Sequence, residues 1–149
     1  HVVTQTVAFL ESVGKRPLVM RKFIPGFIAN RIMMAMADAA EELLNSGAAT
    51  PEEIDYAVKT SVGVRLGVVG IFQSLDFNGL DLIAGDRTLD ELPTYLRTKI
   101  ESGDLGVKTG RGFYEYENDS ELETLKRRDR SYLATLWALE ESCGFRPIH

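Results

Sequence analysis

An all-α domain, a helical bundle of about five helices with one short N-terminal strand left over, is the architecture this sequence predicts. Apolar residues Ile28, Ile32, Ala35, Ala39 and Leu43 recur at helical spacing over a long stretch. Two capping boxes, Thr50-Pro51-Glu52-Glu53 and Thr88-Leu89-Asp90-Glu91, announce further helix starts. Only one run, Lys15 to Arg21, reads convincingly as a strand.

In chain order, Val3, Val7, Leu10 and Val13 fall on one helical face, and Gly14 supplies a stop. The run Lys15-Arg16-Pro17-Leu18-Val19-Met20-Arg21 then reads as a strand. A lone strand leaves its backbone edges unsatisfied, so this helix–strand unit looks like the tail of something larger. Phe113 to Tyr116 is a second candidate, and a very short one. Pro25-Gly26 breaks the chain, and a long helix follows over Phe27–Ser46, its stripe widened by Met34, Met36 and Leu44. Asn45-Ser46-Gly47 ends it. The Thr50 box opens a helix to about Ser61, with Pro51 in the first helical position. Residues 62–70 read as a glycine-punctuated connector. Residues 71–84 read as a helix broken near Asn78-Gly79. The Thr88 box opens a helix that ends near Ser102-Gly103, a glycine-rich loop runs from Gly103 to Gly112, and a last helix spans Ser120 to about Glu141.

Composition bounds the function. The 149 residues are 44% apolar and 26% charged, which is ordinary globular usage and excludes disorder and low complexity. No apolar stretch is long enough to cross a membrane. Seventeen Lys and Arg against twenty-two Asp and Glu give a net charge of −5 without a basic cluster, so nucleic acid and membrane surfaces are not expected partners. One cysteine, Cys143, suits a reducing, cytoplasmic setting.

The missing residues are equally informative. The two histidines, His1 and His149, are the terminal residues and poor places to hold a general base. No interior histidine serves a nucleophile or a metal site, and no G-x-G-x-x-G is present. Gly106-Val107-Lys108-Thr109-Gly110 fails the phosphate-loop pattern, because glycine must directly precede lysine.

Several motifs nevertheless fall in a recognisable order. Ile24-Pro25-Gly26-Phe27-Ile28-Ala29-Asn30-Arg31 resembles the P-G-F-[IV]-x-N-R signature that opens the C-terminal domain of 3-hydroxyacyl-CoA dehydrogenases. Gly47 to Asp55 is similar to that family's G-x-A-[TS]-P-E-D-I-D element, and Gly70 to Asp81 to its G-P-x-x-x-x-D-x-x-G-L-D element. Leu105 to Tyr114 is similar to its L-G-x-K-T-G-x-G-F-Y loop, and Val7 to Val19 resembles the last helix and strand of its NAD-binding Rossmann domain. Ile71 stands where the family usually has proline, and the stretch Ala84 to Leu92 is shorter than usual.

The resemblance implies a helical domain of the 6-phosphogluconate dehydrogenase C-terminal type over residues 23–149, with residues 1–22 the tail of a Rossmann domain. It implies an oxidoreductase that interconverts (S)-3-hydroxyacyl-CoA and 3-ketoacyl-CoA with NAD, and a homodimer. The family's catalytic His–Glu pair and cofactor loop have no counterpart here, so residues 1–149 alone are expected to be inactive. Asn30 is the one active-site residue the resemblance carries over. Its amide can donate to a substrate oxygen or fix a neighbouring imidazole; alternatively it ties its helix to the preceding loop. Arg31 reads as an ion-pair partner. Lys108, Thr109 and Arg111 either meet an acyl-CoA phosphate or belong to a turn that packs Phe113 and Tyr114. Beside the acyl-CoA reading stand two others: a non-catalytic oligomerisation module, and an NAD-dependent dehydrogenase of another hydroxy or sugar acid.

Overall fold

The computed structural model describes residues 1–116 and 120–143, with only the backbone at the last of these. His149 and the Cys143 thiol therefore lie outside the described residues. The chain divides into two compact units, residues 1–48 and 49–149.

The first unit holds α1 (Val2–Ser12) and α2 (Phe27–Asn45). Between them, residues 15–20 form no strand, contrary to expectation. A strand exists only through a partner edge, and among the described residues none is offered. Instead the Lys15 N–H donates back to the Leu10 carbonyl at 2.9 Å, and Pro17 has no donor to give. No residue of the first unit is buried, although it carries Val2, Phe9, Leu18, Phe23, Phe27, Met33 and Met34.

The second unit begins as the capping box at Thr50 dictates. The Thr50 hydroxyl accepts from Glu53 N–H, the Glu53 carboxylate accepts from Thr50 N–H, and α3 spans Pro51–Ala57. A π-helical turn, Val58–Val62, leads directly into α4 (Gly63–Asn78). The connector expected over residues 62–70 is thus helical. Three glycines weaken helix propensity there, but Val64 is buried and α4 packs along α7, and that burial outweighs local preference. Gly70 leaves helical geometry (φ 68°) and kinks α4, and Gly79 separates it from α5 (Leu80–Ala84).

The second capping box forms at Thr88 and Glu91 but opens only a short 3-10 turn, Leu89–Glu91. Pro93 forces Leu92 into an extended conformation, which delays α6 to Thr94–Glu101. The glycine-rich loop follows, and α7 runs over Glu121–Cys143. Phe113 to Tyr116 shows only isolated bridges, Gly106 with Arg111 and Arg111 with Glu115, so no second strand forms. Leu80, Ala84, Leu92 and Leu96 make the buried core, with Leu75, Ile83, Ile100 and Phe113 packed on it. Among the described residues, no helix is long and apolar enough to cross a membrane.

Candidate functional site

In the first unit the chain reverses immediately before α2. Gly26 (φ 80°) and Phe27 (φ 52°) are successive left-handed residues, and the Phe27 N–H donates to the Ile24 carbonyl at 3.2 Å. Among the described residues, Phe27 is the single non-glycine with positive φ. That conformation costs a bulky side chain roughly 1–2 kcal/mol. The Phe23 ring meets the Phe27 ring edge-on, with centroids 6.0 Å apart. Such a pair is worth roughly 0.5–1.5 kcal/mol, so it offsets much of the strain.

Four residues into α2, Asn30 sits in an open groove of 350 Å³ whose walls include Pro25, Gly26, Met34 and Asp38. Asn30 is exposed, and its side chain makes no hydrogen bond among the described residues. The local tie to the preceding loop is therefore not made. The amide stays free to donate and accept. No side chain caps α2, so the positive end of its dipole is left to whatever occupies the groove. Arg31 forms no ion pair among the described residues; its stem packs over Gly26 instead.

In the second unit the glycine loop closes on Asp76. This carboxylate, 1% exposed, accepts from Phe113 N–H (2.8 Å), Tyr114 N–H (2.9 Å) and the Tyr116 hydroxyl (2.9 Å). Burial, and then the bond to Asp76, raises the Tyr116 phenol well above its ordinary range. Gly106 and Gly112 lie against Asp76 so closely that a Cβ on either would overlap it. Four further loop N–H groups are also occupied: Gly106 donates to Arg111, Thr109 to Gly106, Gly110 to Val107 and Gly112 to Tyr114.

The charged and polar loop side chains are engaged too. Lys108 Nζ holds both oxygens of Asp81 at 2.6 Å, and that hydrogen bond lowers the Asp81 carboxyl below its ordinary range. The Thr109 hydroxyl accepts from Leu105 N–H and donates to loop carbonyls. Arg111 reaches Asp104 and Glu115. This loop is an internal clamp, its Lys108 and Arg111 side chains paired with carboxylates of the same unit.

Sequence reasoning found Asn30 and the loop but gave no role to Asp76 or Phe27. Asp76 stood in a quoted motif, yet nothing in the residue order says that its carboxylate is buried under a loop nearly forty positions away. For Phe27 the signal was the Pro25-Gly26 break, which marks a turn without revealing that the turn extends one residue further.

A mainly apolar groove holding one free amide lies at the start of α2 and a glycine clamp closes over α4; comparison with known proteins names the family. Residues 26–116 match the family described as "3-hydroxyacyl-CoA dehydrogenase, C-terminal domain", and the chain belongs to it. A probable 3-hydroxybutyryl-CoA dehydrogenase of Deinococcus radiodurans is 36% identical over 78% of this chain and 42% of its own length. An L-carnitine dehydrogenase of Pseudomonas aeruginosa is 36% identical over 95% of this chain and 46% of its own. A crystal structure of the 3-hydroxyacyl-CoA dehydrogenase from Archaeoglobus fulgidus superposes with a TM-score of 0.70 at 27% identity, covering 97% of this chain and 50% of that one. The chain spans about half the length of the curated relatives it matches.

Proposed function

We propose that this chain is the substrate-facing and dimerising part of an NAD-dependent dehydrogenase that interconverts (S)-3-hydroxyacyl-CoA and 3-ketoacyl-CoA. The observation that carries this is Asn30: an unpartnered amide, in the first turns of α2, inside the motif that opens the matched family domain. The residues here do not fit NAD itself. The described residues contain no sheet on which to build a dinucleotide site, and most N–H groups of the glycine loop bond within the chain. NAD and the proton acceptor would belong to a Rossmann domain to which residues 1–22 form the tail. The domain boundary then lies between residues 22 and 23, although packing within this chain divides it at residue 48.

Asn30 would donate its N–H₂ to the substrate's C3 oxygen. A neutral amide strengthens that bond as negative charge gathers on the oxygen and changes no charge of its own. The uncapped first turn of α2 adds positive potential to the same groove. Lys108 and Arg111 take no part, being held by Asp81, Asp104 and Glu115. The exposed apolar face of α2 supports a homodimer, and the lone cysteine supports a cytoplasmic setting.

A second reading has its own support: the L-carnitine dehydrogenase relative matches 95% of this chain, the 3-hydroxybutyryl-CoA relative 78%. A hydroxy acid without CoA is therefore the alternative substrate. Assaying the complete protein with acetoacetyl-CoA and NADH, and with L-carnitine and NAD, separates the two. Residues 1–149 alone are expected to be inactive with either pair. Asn30→Ala in the complete protein should lower kcat more than tenfold, the scale of losing one preorganised donor. Unchanged turnover would remove Asn30 from the site.

A further inference from the structure

We propose that Phe27 is a positioning residue for Asn30, its strained left-handed turn setting where the first turns of α2, and with them the Asn30 amide, come to rest. The inference rests on the role given to Asn30 above and adds a residue that does not touch substrate.

Three observations meet at this position. Phe27 holds φ 52°, a conformation that glycine or asparagine would adopt more readily. Strain of this kind persists only where the surroundings over-determine it. Here they do: the Phe23 ring stands edge-on to Phe27, the Ile24 carbonyl accepts the Phe27 N–H, and Gly26 on the other side is left-handed as well. The same turn supplies Pro25 and Gly26 as walls of the groove in which Asn30 lies.

The aromatic ring adds nothing to a buried core, since Phe23 and Phe27 are 71% and 58% exposed and the first unit has no buried residue. What the ring does is meet Phe23 across the reversal and hold the turn in one geometry. With no side-chain cap on α2, that turn is what orients the helix start. A donor is useful only where the oxygen will be, and small displacements are expensive in rate.

The test is a double-mutant cycle in the complete dehydrogenase, measured with acetoacetyl-CoA and NADH and, if that pair is inert, with L-carnitine and NAD. Phe27→Gly accepts the left-handed backbone without strain, so it removes the ring without forcing misfolding; circular dichroism and the melting temperature check this. Phe27→Gly should lower kcat about tenfold and leave KM for the nicotinamide cofactor unchanged. Phe27→Tyr, which keeps the ring, should retain the parental kcat. In an Asn30→Ala background, Phe27→Gly should cost nothing further, because the group it positions is gone. Parental kcat in Phe27→Gly overturns the proposal and leaves the role of Asn30 standing. So does a double variant whose loss is the product of the two single losses. Parental kcat in Asn30→Ala instead strikes the role of Asn30, and the proposal falls with it.

Discussion

The Asp76 carboxylate and the backbone N–H of Phe113, 37 positions apart, lie 2.8 Å from each other, and this bond ties the last turn of α4 to the glycine loop. Tyr114 N–H and the Tyr116 hydroxyl complete the arrangement from the same loop. Two of the motifs that mark the family are therefore the two sides of one structural clamp.

Removing the acceptor should loosen that clamp. Asp76→Ala orphans two backbone donors and should cost about 2–4 kcal/mol. Asp76→Asn keeps one carbonyl oxygen but turns an N–H₂ toward a donor, and should cost about 1–3 kcal/mol. Urea denaturation measures both; an Asp76→Ala protein as stable as the parent would show that the clamp does not hold the loop.

Two glycine substitutions should act in opposite directions. A Cβ on Gly112 overlaps the Asp76 side chain, so Gly112→Ala should destabilise by about 1–3 kcal/mol. Gly67 lies in α4 with helical φ and open space around it, so Gly67→Ala should stabilise by about 0.5–1 kcal/mol. Melting temperatures moving in the same direction would refute this pairing.

The Lys108–Asp81 pair is partly exposed on both sides and should contribute at most about 1 kcal/mol. Folding lowers the Asp81 carboxyl, so its contribution is present above the unfolded value of 3.8 and is lost as pH falls through the folded value. The stability difference between parent and Lys108→Met should thus be visible at about pH 7 and shrink as the pH falls below 3.8. Turnover of the complete enzyme should be unaffected. A large loss of kcat would return Lys108 to the substrate.

Association is the remaining expectation. Ile32, Met33 and Met34 stay exposed along α2, the apolar face on which the proposed homodimer would form. The complete protein should sediment as a dimer at micromolar concentration, and Met33→Glu should shift it toward monomer. A parental monomer would contradict the proposal.

Much of this was legible before any coordinates. The stripe from Ile28 to Leu43 gave α2 its bounds to within one residue at the carboxyl end, because helical periodicity is a local property. The Thr50 box placed α3 for the same reason, since a cap and its partner are three residues apart. Residues 62–70 misled, because three glycines were weighed without the α7 surface that makes helix worthwhile there. Lys15 to Arg21 misled in the opposite way: the residues suit a strand, but the edge that would make them one is absent from the described residues.

What the residue order determined by itself was the long α2 and the helix start at Thr50, which rest on spacings of a few positions, and the motifs whose resemblance to a family made Asn30 a candidate. Only the tertiary structure decided that the glycine loop is a clamp, that Asp76 is its anchor, and that Phe27 is strained. Those depend on which distant backbone groups meet and on dihedral angles, and neither follows from local spacing.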